Sequence, residues 1–219
     1  MDFNMNIIIE YWPFFLKGAL LTLGISIAGI IIGAVIGLFI SFGRMAPNKW
    51  IRIPFSLYIN SLRGTPVLIQ LFIVHYALLP AIYPPGTAVT SAIVTLSLNS
   101  SAYVAEIFRA GIQSLDKGQT EAARSLGMTK VQTMRYIIVP QAVRRMIPPL
   151  GNEFITLIKE SSLAGIIAAE ELMYWGKAAM GQYQRVWEPY IAVAIIYLVI
   201  VFSLTYLLQW IEKRWVQRD

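Results

Sequence analysis

The sequence predicts an all-α, polytopic membrane helical bundle of five transmembrane helices, with one short helix outside the bilayer. Three observations carry this reading. The 219 residues are 57% hydrophobic and only 14% charged, where a soluble domain averages roughly 25% charged residues. Charge-free apolar stretches long enough to span recur along the chain. The cations gather on one side of the spans these stretches define. Residues 1–219 are read as a single transmembrane domain rather than a string of soluble units.

Composition also excludes several kinds of chemistry. The chain contains no cysteine, which rules out disulfides, thiolate metal sites and a cysteine nucleophile. His75 is the sole histidine, so no metal site is expected. No Gly-rich phosphate loop ending in Lys-Ser or Lys-Thr occurs, and GMTKVQT lacks the Gly-Lys pair. No Ser-His-Asp arrangement can be built around His75, so no catalytic residue is assigned and no hydrolysis is expected. The net charge is +6 without a basic stripe interleaved with aromatics, which argues against a nucleic-acid partner. The N-terminus has no basic region ahead of a short apolar core and is not read as a signal peptide.

The first span is expected over about 14–42. Gly18 to Phe42 is free of charge, and as a helix would be about 37 Å long against a hydrocarbon core of ~30 Å. Gly29, Gly33 and Gly37 recur on one face, a pattern of close helix packing. Tyr11 and Trp12 suit the interface at its outer end. A basic loop follows (Arg44, Lys49, Arg52). The second span, about 53–79, is expected to break at Arg63-Gly64-Thr65-Pro66, because proline lacks an amide hydrogen and pushes the preceding residue out of the α region. His75 is assigned a core or lumen role. After the charge-free turn Pro80 to Gly86, the third span covers about 87–112.

The next stretch leaves the apolar pattern. Asp116 with Gln119 has capping-box form and Gly127 suits a left-handed stop, so a helix is expected over about 117–127. Thr129 with Gln132 is a second capping box, opening a helix that reaches Pro140. Ala122 and Ala123 give the short helix a low-relief face. The fourth span is placed at about 147–169. A polar interfacial segment follows, with Glu170 and Glu171 reaching the outer surface, and the fifth span runs over about 189–211. Five spans put the termini on opposite sides. Arg44, Lys49, Arg52, Lys117, Arg124, Lys130, Arg135, Arg144, Arg145, Lys213, Arg214 and Arg218 share one side. The positive-inside rule makes that side cytoplasmic, with the C-terminus inside and the N-terminus outside.

Charges within the fourth span point to a ligand. Glu153, Lys159 and Glu160 lie among apolar residues, where an ionised group costs at least ~2.5 kcal/mol unless paired or hydrated. Glu153, Thr156 and Glu160 share a helix face. Asn99, Tyr103 and Glu106 share one on the third span, with Thr95 a turn earlier, and Glu106 can pair with Arg109. The candidate substrate wall is Asn99, Tyr103, Glu153, Thr156 and Glu160. The plainer alternative is an interhelical polar network around Asn99, a paired Lys159, and glutamates that face water.

Glu121-Ala122-Ala123, Gly127, Ile137 and Val139-Pro140 resemble the EAA signature of ATP-binding-cassette importer permeases, with Val139 where that pattern has Leu. GALLTLGISIAG, SLRGTPVLIQLF, LNSSAYVAEIFRAGIQSLDKGQTEAARSLG, IIVPQA and LIKESSLAGIIAAEEL follow in the order seen in polar amino-acid importer permeases. The resemblance implies a prokaryotic inner-membrane transport subunit that is not an enzyme. It implies that Glu121, Ala122, Ala123, Arg124 and Gly127 belong to a coupling helix docking on a cytoplasmic ABC ATPase. It further implies a second permease subunit, identical or related, and an extracytoplasmic amino-acid-binding protein. ATP and Mg would be held by the ATPase, and this chain would bind no cofactor. The glutamate excess favours a cationic amino acid (arginine, lysine or histidine) carried inward by alternating access. Glutamine or glutamate is the alternative. An ion-coupled carrier working without an ATPase is a further one, but it leaves the 121–140 loop without a role. A non-transporting scaffold would not need a polar face at mid-membrane.

Overall fold

A computed structural model describes residues 3–84 and 86–215. Arg218, and Pro85 of the expected turn, lie outside the described residues. Eight helices and no strand are present among those described. Three helices are long and apolar enough to cross a membrane, or up to four if one bent pair counts as a single span.

Helix α1 (Met5–Arg44) runs through Pro13 and begins at Asn4, whose side chain caps the Asn6 amide. It therefore starts well before the expected span, and Tyr11, expected at the interface, is buried with its hydroxyl bonded to Gln182. Helices α2 (Lys49–Arg63) and α3 (Val67–Ile82) form the bent pair, turned by 106° across the short break. The break falls at Gly64-Thr65-Pro66, as the proline geometry requires. Helix α4 (Ala88–Gln113) is the most buried of the three long apolar helices. It packs along α1 through the glycine stripe. A Cβ on Gly33 would stand 2.9 Å from Ser100 Cβ, and one on Gly37 2.8 Å from the Ser101 carbonyl. Small residues on both faces let the two backbones approach.

Helix α5 (Lys117–Ser125) opens at Asp116, whose carboxylate accepts from the Gly118 amide. It stops at Gly127, which takes the left-handed conformation at φ 82°. Thr129 and Gln132 close the second capping box. The helix begun there does not end at Pro140. Lys130–Thr133, a π turn Met134–Ile138, and Val139–Glu160 follow without a gap, and we call the whole 130–160 rod α6. A second π turn, Val74–Leu78, lies inside α3 just before Pro80. Each π turn precedes a proline by two residues. The ring removes one donor and crowds the preceding turn, and the wider i→i+5 register absorbs it without breaking the helix. The fourth span also differs from expectation. Its α-helix stops at Glu160, a 3₁₀ segment (Ser161–Ile167) follows, and Ala168 is left-handed. Helix α7 (Leu172–Tyr183) and helix α8 (Trp187–Trp215) complete the chain.

Small apolar clusters hold the bundle together along its length. Phe15, Leu172, Ala179 and Val193 join α1, α7 and α8. Ile25, Leu96, Leu157 and Ala164 join α1, α4, α6 and the 3₁₀ segment after it. Leu115, Ile138, Ala142 and Met146 join the end of α4 to α6.

Candidate functional site

Three elements run side by side past a series of polar groups: the α2–α3 break, α4 and α6. At the end nearest α5 they enclose an open cavity of about 520 Å³, lined among others by Arg63, Tyr103, Glu106, Arg109, Arg145 and Pro149. The Arg63 guanidinium lies over the Tyr103 ring, 5.1 Å from its centroid. Glu106 accepts from Arg109 at 2.9 and 2.7 Å and from Arg44 at 3.3 Å. The expected Glu106–Arg109 pair is therefore present, with Arg44 of α1 as an additional partner.

At the other end, Val67, Thr95, Leu96, Glu160 and Ser161 line a narrow cleft of about 10 Å³. Pro149 and Glu160 are eleven residues apart on α6, about 16 Å along a helix axis. Glu153 stands between them. Its carboxyl lies within the fields of Glu160 and Arg63 and comes near Ser100 of α4, short of hydrogen-bond geometry. Ser100 Oγ is fully buried and makes no hydrogen bond. Among the described residues neither Glu153 nor Glu160 forms a salt bridge. Lys159 is exposed and acts on Glu160 only through its field.

The five candidate wall residues are distributed along this path rather than gathered in one pocket. Tyr103 lines the wide cavity and Glu160 the narrow cleft. Thr156 donates to the Asn152 carbonyl of its own helix at 3.0 Å. Asn99 is buried and donates to Gln70 Oε1 at 3.0 Å. Gln70 Nε2 in turn donates to the Leu62 and Thr65 carbonyls, closing over the break. Asn99 is thus built into the support of the broken helix. Gln70 was not singled out from sequence, because its partners are backbone carbonyls that only the bend presents. His75 Nδ1 pairs with Ser91 Oγ at 2.8 Å, in keeping with a core role.

Glu171 departs from expectation. It is fully buried, not at the surface, and accepts from the Met173 and Tyr174 amides and the Tyr197 hydroxyl. It caps α7 and pins α8 to it. Burial pushes its carboxyl up to about 7, against the pull of these donors.

The second candidate surface is the α5 loop. Glu121, Ala122, Arg124 and Gly127 are exposed. Ala123 is only 4% exposed, turned into the chain's own packing, so the low-relief face expected of both alanines belongs to Ala122 alone. Arg124 Nη1 donates to the Met128 carbonyl at 2.9 Å and so also closes the Gly127 turn. Leu126 and Val131 stand 84% and 74% exposed beside this turn. They were missed in the sequence, where single apolar residues between helices carry no periodic signal.

Comparison with known proteins identifies relatives of the whole chain. The family model described as "Binding-protein-dependent transport system inner membrane component" matches residues 29–217. The probable amino-acid ABC transporter permease protein YckA of Bacillus subtilis (strain 168) is 46% identical over 195 residues, covering 89% of this chain and 86% of that protein. The glutamine transport system permease protein GlnP of Escherichia coli (strain K12) is 39% identical over 219 residues, covering 98% of each chain. A crystal structure of an amino acid ABC transporter with histidines has a chain that superposes with a TM-score of 0.91 at 41% identity, covering 98% of this chain and 100% of that one.

Proposed function

The chain belongs to the family of inner membrane components of binding-protein-dependent transport systems, and from its two intramembrane carboxylates, Glu153 and Glu160, we propose that it carries a polar, cationic amino acid (arginine, lysine or histidine) inward. It is a permease subunit of an amino-acid ABC importer, a non-enzymatic part of a complex in which a separate ATPase hydrolyses ATP. The proposed path follows the α2–α3 break, α4 and α6, from the Glu160 cleft past Glu153 to the cavity beside α5. The orientation that supports inward transport has the α5 loop and C-terminus cytoplasmic and the N-terminus outside, with five crossings in all. A second permease, an extracytoplasmic binding protein, and ATP with Mg at the ATPase complete the machine. Glu121, Ala122, Arg124 and Gly127 dock on the ATPase, joined by Leu126 and Val131, with Ala123 buried behind them.

The observation that carries the cationic reading is the pair of carboxylates, Glu153 and Glu160, without a salt bridge on the helix lining the path. Cost at membrane depth argues that such groups are retained for a ligand. The wide cavity favours a second reading. Arg63, Arg109 and Arg145 outnumber Glu106 there, which suits a neutral amino acid such as the glutamine named for GlnP. Uptake into proteoliposomes of the assembled transporter separates the two. Glu153→Gln and Glu160→Gln are expected to lower arginine uptake at least tenfold while leaving glutamine uptake within twofold. Unchanged arginine uptake in both variants removes these carboxylates from substrate recognition.

A further inference from the structure

A second polar recess opens where α1 and α4 end, sharing Arg109 with the wide cavity. Arg44, Met45, Arg52, Arg109 and Gln113 line about 370 Å³ of it. Two of its charges, Arg44 and Arg109, are fixed in place by side-chain partners. Arg44 Nε and Arg109 share Glu106, and Arg44 Nη1 donates to Ser56 Oγ of α2 at 2.6 Å. Arg109 Nη1 is also held by Gln113 Oε1. One carboxylate against three guanidiniums leaves two positive charges in excess. The Arg52 side chain is exposed and makes no hydrogen bond or ion pair among the described residues. An arginine fork of this kind matches a phosphate oxygen pair.

We propose that this recess holds the phosphate of an anionic phospholipid in the leaflet on the α5 side of the membrane. Two features select a lipid over a free phosphate. The recess sits at the ends of the two apolar helices α1 and α4, at the level where a headgroup would lie. Beside Arg52, α2 presents Trp50, Ile53 and Leu57 at i, i+3 and i+7, exposed by 72%, 52% and 66%. Lys49 stands over the Trp50 ring at 5.2 Å. An apolar stripe ending in a Lys–Trp pair forms a bed for acyl chains at an interface, and arginines at that depth are drawn to an anionic leaflet. Arg44, Arg52 and Arg109 place the lipid at the α1–α2–α4 junction, with Arg109 shared between it and the wide cavity.

The test uses the assembled transporter in detergent with equal amounts of phosphatidylglycerol and phosphatidylcholine, and counts retained lipids by native mass spectrometry. Wild type is expected to retain phosphatidylglycerol preferentially. Arg52→Gln is expected to reduce that preference about fivefold, as loss of one juxtamembrane charge implies, and Arg52→Glu to abolish it. Arg52 supports no contact in the fold, so both variants should melt and co-purify with the ATPase as wild type does. Equal preference in wild type and Arg52→Glu overturns the proposal. Displacement of the lipid by millimolar inorganic phosphate or glycerol 3-phosphate overturns it too, since the recess would then be a soluble-phosphate site. Lipid retention is read without any transport, so its failure is separate from failure of the importer reading.

Discussion

Glu171 shows how far a single side chain can depart from its sequence context. Two adjacent glutamates after an apolar span read as surface groups, yet Glu171 has no exposed area and ties α7 to α8. Its folded carboxyl titrates at about 7, against 4.5 for the free group. Below about 4.5 both folded and unfolded chains are protonated and nothing is lost. Between about 4.5 and about 7 the unfolded chain ionises first, so stability falls as pH rises through that window. The size is on the order of 3 kcal/mol. Thermal melts of the purified complex should show wild type losing stability across that range, and Glu171→Gln should be flat over it. Asn99 gives a second test at this scale. Asn99→Ala leaves Gln70 Oε1 buried without its donor, which costs about 1–3 kcal/mol. The expected result is a lower melting temperature with the KM for substrate unchanged; a raised KM at constant melting temperature would return Asn99 to the substrate wall. The sequence could place Asn99 on an inward face, because period and polarity fix that. It could not choose between ligand and support, because the deciding partner, Gln70, comes from across a helix break.

Among the elements, those set by local chemistry were legible. The Thr129–Gln132 box, the Gly127 stop and the Pro66 break each depend on residues within one turn of each other, and each formed where expected. The end assigned at Pro140 failed for a reason also local in origin, since the π turn before it rescues the helix. Proline chemistry predicts a disturbance and leaves open whether the chain breaks or bulges. The glycine stripe of α1 was legible from its four-residue period and finds the small-residue face of α4. Gly37→Leu drives its side chain into the Ser101 carbonyl and Val104, and overpacking of this kind costs about 1–3 kcal/mol. A drop in the yield of folded complex measures it. On the α5 loop, Leu126→Asp places a charge where an exposed apolar side chain is offered to a partner. Its own fold should be indifferent, because Leu126 is exposed, while co-purification of the ATPase should fall at least tenfold. Retained ATPase binding would limit docking to Glu121, Ala122 and Arg124.

Across the whole molecule, one continuous rod joins the α5 loop to the proposed path. The α6 rod begins at the Thr129 cap beside the proposed docking surface and ends at Glu160 in the narrow cleft. The cluster of Leu115, Ile138, Ala142 and Met146 packs its first half against the end of α4, and both helices line the wide cavity. The π turn Met134–Ile138 lies between the two ends of the rod. Each residue of an α-helix turns it by about 100°, so removing Arg135, which is exposed within that turn, converts it to α register and rotates the docking end against Glu153 and Glu160. The docking residues themselves are untouched by this deletion. The expected variant therefore keeps its ATPase through purification and retains basal ATP hydrolysis, but loses the stimulation given by substrate-loaded binding protein. Hydrolysis and uptake measured on the same proteoliposomes read both halves of that statement. Uptake equal to wild type would mean that force reaches the path by another route, through α4 alone. Loss of the ATPase instead would mean that the turn shapes the docking surface and does not transmit from it.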